Sequence, residues 1–220
     1  MCLAPVTAAD TFVPICVPAQ HRRTARGGEG IFMSASLHLS TAALAAGLED
    51  IRRSPADQGR LVMIVVRPDR DLRELPHAAE ISPESGLAGD RWSRHCTWRL
   101  PDGRLNPDTQ LTLMNSRAAA LIAGPEARWP LAGDNLVVDL DLSVDNLPAG
   151  QRLKLGGAII EISPEPHTGC AKFAQRFGPD ALAWVNSPIG RQLRLRGVNA
   201  LVLEAGWVRT GDRIEKLGNP

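Results

Sequence analysis

Short runs of β-branched residues, divided by turn-forming Gly, Pro and Asp, are the feature that most constrains the fold of this chain. Three of them each have the length and composition of one strand: RLVMIVVRP (60–68), LTLMN (111–115) and NLVVDL (135–140). RLKLGGAIIEI at 152–162 predicts a hairpin, because its central Gly-Gly pair tolerates the positive φ angles of a tight turn. The stretch 196–214 predicts further strands around Gly206, with a turn at Gly211-Asp212.

Helices are expected in only three places: 41–53, capped by Ser40 or Thr41, and near 116–123 and 179–186. The fold class is therefore mostly β with a few peripheral helices, and a closed or nearly closed β-barrel is the expected architecture. We predict three parts: a disordered extension (1–34), a helical lead-in (35–59) and one barrel domain (60–218). Met33 opens the first well-patterned stretch, which suggests that translation starts there.

Composition excludes several classes of protein. Lys and Arg number 25 against 24 Asp and Glu, so the chain has no large net charge that would favour binding to nucleic acid or to an anionic membrane surface. The apolar run at 61–66 is far shorter than the ~20 residues of a membrane helix. The four cysteines (Cys2, Cys16, Cys96 and Cys170) have no CxxC spacing and no disulfide-framework pattern, which predicts a reducing cytoplasm.

The most informative short stretch is PEPHTGCAK at 164–172, which contains Cys170. A cysteine in such a place can be a nucleophile, a metal ligand or a small packed residue. PEPHTG is poor strand material and predicts a loop, in which a side chain is exposed and positioned by the scaffold. Lys172, Arg176 or a protonated His167 would favour the thiolate, so we predict a functional role for Cys170.

Two rival chemistries have weaker support. His167 and Cys170 have an HxxC spacing that His95 and Cys96 could complete as a zinc site, but neighbouring residues of an extended chain point to opposite sides. A cysteine-protease-like dyad with His167 or His95 as base lacks a recognisable oxyanion hole or orienting partner. Walker A, GxGxxG, GxSxG and HExxH motifs are absent from the sequence.

Three arginines in RQLRLRG (191–197) form a candidate oxyanion clamp. In a strand, alternation would place Arg194 and Arg196 on one face, with Arg191 nearby; a solvated edge strand is the alternative. GLAGDRW (86–92) and AGDNL (132–136) are typical of turns, in which Asp makes local backbone hydrogen bonds. Arg91 and Asn135 are candidate polar liners beside these turns.

These pieces, in this order, resemble the MOSC family, named for the C-terminal domain of molybdenum-cofactor sulfurases. The matching elements, which cover about residues 61–217, are LVMIVVRP, GLAGDRW, LTLMN, AGDNL, LKLGGAIIEI, PEPHTGCAKF and GVNALVLEAGWVRTGDRI. The resemblance implies a β-barrel related to the one in pyruvate kinase. It also implies that Cys170 carries sulfur as a persulfide or ligates the molybdenum of the pterin cofactor.

The cofactor's phosphate would then account for basic residues near the site. The expected cofactor-binding residues are Arg91, Asn135, His167, Lys172, Arg191, Arg194 and Arg196. The chain lacks the pyridoxal-phosphate desulfurase domain and the separate N-terminal barrel of larger members, so it resembles a stand-alone member. Pyridoxal phosphate is accordingly expected only on a desulfurase partner.

The expected function is binding of molybdenum cofactor (Mo-pterin), or carriage of its sulfur, through Cys170. Reduction of N-hydroxylated compounds such as hydroxylaminopurines would need a partner reductase, because the chain has no flavin or iron–sulfur motif. The expected partners are a cysteine desulfurase as sulfur donor or a reductase as electron donor, without nucleic acid or membrane. The alternative is a non-catalytic module that binds a cofactor or a partner, in which Cys170 is not a nucleophile.

Overall fold

The computed structural model describes residues 38–218. The predicted extension at 1–34 and the start at Met33 lie outside the described residues.

Ten strands run through this part of the chain: β1 (Gly59–Ile64), β2 (Ala78–Ser82), β3 (Gly86–Leu87), β4 (Leu111–Asn115), β5 (Leu136–Asp139), β6 (Arg152–Leu155), β7 (Ala158–Ile162), β8 (Val198–Glu204), β9 (Gly206–Arg209) and β10 (Arg213–Lys216). The α-helices described are α1 (Thr41–Ala46), α2 (Leu48–Arg52), α3 (Trp92–His95), α4 (Ser116–Ala123), α5 (Ala171–Phe177), α6 (Pro179–Val185) and α7 (Pro188–Gln192). Two 3₁₀ segments, Pro107–Thr109 and Glu126–Ala132, precede β4 and β5.

Seven strands close into a barrel in the order β1-β10-β6-β7-β8-β4-β5, which confirms the predicted fold class. Neighbouring strands are antiparallel except β4 and β5, which are parallel. The remaining strands form a small sheet in the order β3-β2-β9. The predicted hairpin is β6-β7, and Gly156 takes the positive φ at its turn.

Alternation along the strands fills the barrel. Leu153 and Leu155 of β6 are buried in the barrel's core cluster, whereas Lys154 between them is exposed. β4 is buried along its whole length because helices cover its outer face, where Met114 packs in a second cluster with Phe173. The barrel therefore has an interior core and a helix-covered core outside one wall.

The helical predictions are largely confirmed. α4 and α6 occupy the predicted segments near 116–123 and 179–186, and Ser40 caps α1 by accepting a hydrogen bond from the Ala43 amide. The single helix expected at 41–53 is two helices that meet at Gly47. In the part of the chain described, no helix is both long and apolar enough to cross a membrane.

The predicted strand face carrying Arg194 and Arg196 is wrong. α7 ends at Gln192, the chain then turns through Arg194 with a φ of 48°, and β8 begins only at Val198. The Gly197 amide donates to the Arg194 carbonyl within this turn. Because the segment is not extended, the two arginine side chains follow separate paths.

Candidate functional site

Cys170 lies at the end of a loop that joins β7 to α5, as the sequence predicts. Its backbone is extended at the N-terminal boundary of α5, its side chain is exposed, and its thiol makes no capping hydrogen bond. The Asn186 side chain holds the preceding residue from both sides: Oδ1 accepts from the Gly169 amide at 2.9 Å, and Nδ2 donates to the Gly169 carbonyl at 3.2 Å. The thiol is therefore displayed on a loop that is fixed one residue before it.

Gly169 is required by space rather than by backbone angle. A Cβ at this position would lie 2.7 Å from Cδ1 of Leu182 and 3.0 Å from Cγ2 of Val185, both on α6. Its φ lies outside the left-handed range. The glycine that precedes Cys170 thus lets the loop lie directly on α6.

A cavity of about 500 Å³ opens beside this loop, within the size range of small-molecule sites. We name it the arginine cavity, because its lining includes Arg67, Arg73, Arg91, Arg176 and Lys172. The aspartates that also line it are Asp69 and Asp71, so cations outnumber carboxylates. Such an excess of donors and positive charge favours an anionic ligand.

Two of these cations have no partner within the part of the chain that the structure describes. Among residues 38–218, the side chains of Arg91 and Lys172 make no hydrogen bond or ion pair, and both face the arginine cavity. Both were predicted from the sequence as cofactor-binding residues, and the structure brings them to one cavity. They are free to pair with a ligand.

The other three guanidinium groups are held by the protein. Arg67 makes a two-point ion pair with the buried Asp90, at 2.8 and 3.0 Å. Arg176 donates to the Leu131 carbonyl at 2.7 Å and pairs with Asp71 at 3.0 Å. Burial, followed by the nearby charges of Arg176 and Arg67, lowers the pKa of Arg73. Like charges are therefore crowded together in fixed positions.

Gly133 lies at the centre of this cluster. Arg67 donates to its carbonyl at 2.6 Å, and a Cβ at Gly133 would point between Nη2 of Arg73 at 3.9 Å and Nη1 of Arg176 at 4.0 Å. Its φ of 90° also favours glycine. The missing side chain leaves open space between two guanidinium groups.

The next residue, Asp134, anchors a buried polar group. Its carboxylate is 1% exposed and accepts a hydrogen bond from Arg196 at 2.6 Å, while His167 lies 2.8 Å from its second oxygen. Burial alone would raise the pKa of Asp134, but Arg196 and His167 outweigh burial and hold that pKa at about 2. Burial and the Arg196 charge lower the pKa of His167. The group thus combines an ionised carboxylate with an imidazole whose neutral form is favoured.

A second cavity of about 520 Å³ lies on the other side of the loop. Pro166, His167 and Thr168 of the loop line both cavities together with Asn199 of β8, so these residues lie between the two cavities. Arg191, Arg194 and Arg196 line the second cavity and not the first. The predicted cationic residues are therefore divided between two cavities, and His167 faces both.

The expected arginine clamp is not formed. The Arg194 guanidinium donates to the backbone carbonyls of Leu142 and Leu147, whereas Arg196 is buried against Asp134 and the ring of Phe173. Arg191 is exposed. Both inner arginines are thus engaged by the protein itself.

Asn135 is fully buried, and its amide binds other side chains of the site. Its Oδ1 accepts from Nη2 of Arg67, and its Nδ2 donates to Asp90, each at 3.0 Å. It can act on a ligand only by orienting Arg67. Asp90 does make the expected local turn bond, to the Trp92 amide. The corresponding interpretation of Asp134 is wrong, because its carboxylate contacts residues distant in sequence.

Sequence reasoning missed Asp134, Arg67 and Arg73 as parts of the site. The sequence does draw attention to Asp134, because AGDNL is a motif typical of turns. No sequence motif marks the two arginines, since their partners are set by contacts between β1, the segment after it and the residues before β5. Cys170 itself lines neither cavity, although Thr168 and Lys172 on either side of it do.

The rival chemistries can be compared with this geometry. Among residues 38–218, no group of three His, Cys, Asp or Glu side chains is arranged to hold a metal ion. His95 ends α3, and Cys96 follows it with its thiol directed to the Trp98 carbonyl at 3.5 Å. The orienting partner for His167 that the sequence did not reveal is Asp134.

Comparisons with known proteins agree with the barrel. The YuaD protein from Bacillus subtilis superimposes with a TM-score of 0.52 at 18% identity, over 72% of this chain and 95% of that one. YiiM from Geobacillus stearothermophilus superimposes with a TM-score of 0.52 at 18% identity, over 73% and 75% of the two chains. No curated protein matches the sequence. The sequence profile of the MOSC domain matches residues 105–215, which include the Cys170 loop. The chain therefore belongs to the MOSC domain family.

Proposed function

We propose that this MOSC protein binds molybdenum cofactor, with the arginine cavity holding the cofactor's phosphate and the Cys170 thiolate ligating its molybdenum. The observation that carries the proposal is the position of an exposed thiol beside a cavity with an excess of fixed positive charge. A thiolate is a soft ligand suited to molybdenum, and guanidinium groups bind phosphate oxygens in pairs. A reducing cytoplasm suits an exposed free thiol of this kind.

The residues fit an anionic, metal-bearing cofactor. Gly133 leaves a gap between Arg73 and Arg176 that a Cβ would fill, and Arg91 and Lys172 have no partner among residues 38–218. An anion in the gap would relieve the mutual repulsion of the guanidinium groups. Since no cluster of three metal-binding side chains occurs in the described part of the chain, a metal at Cys170 would need ligands from the cofactor itself.

The roles of the chain's own residues follow from their positions. Arg73, Arg176 and Lys172 bind the anion, while Asn186 and Gly169 fix the loop that carries the thiol beside the cavity. When bound, the molybdenum supplies two-electron redox chemistry. Electrons would come from a partner reductase, and the expected substrates are N-hydroxylated compounds such as hydroxylaminopurines.

Carriage of sulfur is a second candidate function, favoured by the exposure of Cys170 on a surface loop outside both cavities. A thiolate there can attack the terminal sulfur of a persulfide on a pyridoxal-phosphate-dependent cysteine desulfurase. The donor's S–S bond breaks, a new S–S bond forms on Cys170, and the donor leaves as its thiolate. Incubation with a cysteine desulfurase and cysteine should add the mass of one sulfur atom to the peptide containing Cys170. If no sulfur were added to this peptide, sulfur carriage would be excluded as a function of Cys170.

A non-catalytic module that binds the cofactor or a partner is the remaining alternative, because all described features of the cavity are those of a binding site. Turnover separates the two possibilities. Cofactor-loaded protein with a reductase should reduce an N-hydroxylated substrate if the protein is an enzyme. Stable cofactor binding without turnover would favour the module.

The cavity's role can be measured by transfer of isolated molybdenum cofactor to the protein. Arg73→Ala should weaken binding about tenfold, as expected for loss of a charge-assisted hydrogen bond, and Arg73→Lys should weaken it less. Arg191→Ala is the matched control, because Arg191 is exposed and lines only the second cavity. Equal affinity of wild type and Arg73→Ala would contradict the assignment of the phosphate to this cavity.

A further inference from the structure

The buried group of Asp134, His167 and Arg196 is not explained by cofactor binding alone. Asp134 accepts from Nη1 of Arg196 at 2.6 Å and lies 2.8 Å from Nε2 of His167, and the carboxylate is 1% exposed. His167 differs from its partners, because its side chain is 17% exposed and lines both cavities. One end of this group is therefore buried, and the other reaches open space.

The carboxylate determines which imidazole nitrogen carries the proton. An ionised carboxylate has no donor, so the short contact to Nε2 requires that Nε2 carries the hydrogen and donates it. Burial and the Arg196 charge lower the pKa of His167, which favours the neutral ring. A neutral imidazole carries one ring proton. Nδ1 of His167 is then an unprotonated nitrogen with a lone pair.

Within the described part of the chain, Nδ1 is the ring nitrogen of His167 that has no hydrogen bond. Across residues 38–218, it has no hydrogen-bond partner, and the buried side-chain atom that lacks one is Nε of Arg196. Nδ1 is therefore accessible from a cavity. On the ring's opposite edge, a Cβ added at Gly197 would lie 3.3 Å from Cδ2 of His167, so that edge faces Gly197.

The residue that carries this acceptor is connected to the arginine cluster through Asp134. Gly133, whose carbonyl binds Arg67 and whose open face meets Arg73 and Arg176, is bonded directly to Asp134. His167 also lines the arginine cavity with those arginines. The arginines attract any anion of suitable size, whereas a lone-pair nitrogen discriminates between anions that can donate a hydrogen bond and those that cannot.

We infer that Nδ1 of His167 is a selectivity site: it accepts a hydrogen bond from the O–H or N–H of an anion held by the arginine cavity. The ligand class is a compact oxyanion that carries its own donor, such as hydrogen phosphate, in preference to an oxyanion without one, such as sulfate. This inference requires neither Cys170 nor molybdenum. It can therefore fail while the proposed function survives, and the reverse also holds.

Hydrogen phosphate and sulfate form a matched pair of probes. At mildly alkaline pH both are tetrahedral dianions of similar size, and hydrogen phosphate alone has an O–H donor. Titration calorimetry on the full chain should show that hydrogen phosphate binds about fivefold more tightly than sulfate, as expected for one additional hydrogen bond. Arg73→Ala should weaken both anions by a similar factor, because it removes charge and leaves the acceptor in place.

Two substitutions test the acceptor itself. His167→Phe keeps a ring but removes the nitrogen, so the preference for hydrogen phosphate should disappear. Asp134→Asn is more informative, because Arg196 can only donate and therefore requires the amide oxygen. The amide NH₂ must then face His167, which makes Nε2 the acceptor and moves the ring proton to Nδ1. An oxygen of either anion can accept from a donor at Nδ1, so the preference for hydrogen phosphate should disappear.

The tautomer can be read without any ligand by ¹⁵N NMR of the imidazole rings. Wild type should show a His167 ring protonated at Nε2 and unprotonated at Nδ1, and Asp134→Asn should show the opposite. A wild-type ring protonated at Nδ1 would overturn the inference even if a variant failed to fold. Equal affinity of wild type for the two anions, or no binding of either, would also overturn it.

Discussion

Replacing Gly169 with alanine is the most direct perturbation of the loop that displays Cys170. The new Cβ would meet Leu182 at 2.7 Å and Val185 at 3.0 Å, whereas carbon atoms in ordinary contact are about 3.5–4.0 Å apart. The loop would have to lift from α6 by roughly 1 Å, which would strain the two hydrogen bonds between Gly169 and Asn186.

The size of the effect follows from two opposing terms. Overpacking of this kind costs about 1–3 kcal/mol, and the loss of glycine's freedom in the unfolded chain returns about 0.4–1 kcal/mol. We therefore expect a net loss of about 1–2 kcal/mol in the free energy of unfolding, or roughly 3–6 °C in the melting temperature. The displaced loop should also change the rate at which Cys170 is alkylated.

Urea denaturation and timed alkylation measure the two consequences. Gly218→Ala is the matched control, because a Cβ there would meet no atom within 4 Å and its φ is not positive. It should change stability by less than about 0.5 kcal/mol. If Gly169→Ala matched wild type in both stability and alkylation rate, the reasoning that α6 fixes this loop would be refuted.

Three further predictions concern charge and exposure. The free energy of unfolding should fall as the pH falls through 6.5, because the unfolded chain takes up a proton that the folded His167 does not, and His167→Gln should remove this part of the pH dependence. A second loss of roughly 2 kcal/mol should follow as the pH falls from 3.8 towards 2, because Asp134 is protonated in the unfolded chain before it is protonated in the folded one. Acid titration followed by circular dichroism would detect both losses. A free energy of unfolding that did not change with pH would contradict both. Cys170 should be alkylated faster than the half-buried Cys96 when peptides are mapped by mass spectrometry. The reverse order would show that the Cys170 side chain is packed in the protein and not exposed. Arg196→Ala should destabilise the protein by about 3–5 kcal/mol in urea denaturation, because Asp134 would lose its buried counter-charge, and a change below about 1 kcal/mol would show that the pair is unimportant.

The sequence predicted the parts of the fold that depend on local pattern. The β6-β7 hairpin follows from alternation on either side of a Gly-Gly turn, and β4 from a run of strand formers. The small β3-β2-β9 sheet was not predicted, because β3 has two residues and pairs through contacts distant in sequence. α5 had an unused signal: Phe173 and Phe177 are four residues apart, and both are buried.

The candidate site was predictable to a smaller extent. Cys170, its loop, Arg91 and Lys172 could be recognised because motif and charge are visible in sequence. The partner of Arg196 could not be recognised, since Asp134 is separated from it by 62 residues in the sequence. Strand-like alternation of side chains does not hold at Arg194 and Arg196, because the chain turns there. These arginines, expected to bind a ligand, are held by the protein's own carbonyl and carboxylate groups.

We propose above all that the Cys170 sulfur holds the cofactor's metal beside the arginine cavity. The direct measurement is the molybdenum and pterin content of protein purified from a host that makes the cofactor, for wild type, Cys170→Ser and Cys96→Ser. Serine preserves size but lacks the soft sulfur donor, so molybdenum and pterin should be retained by wild type and Cys96→Ser and lost together from Cys170→Ser. Equal molybdenum and pterin content in wild type and Cys170→Ser would contradict the claim.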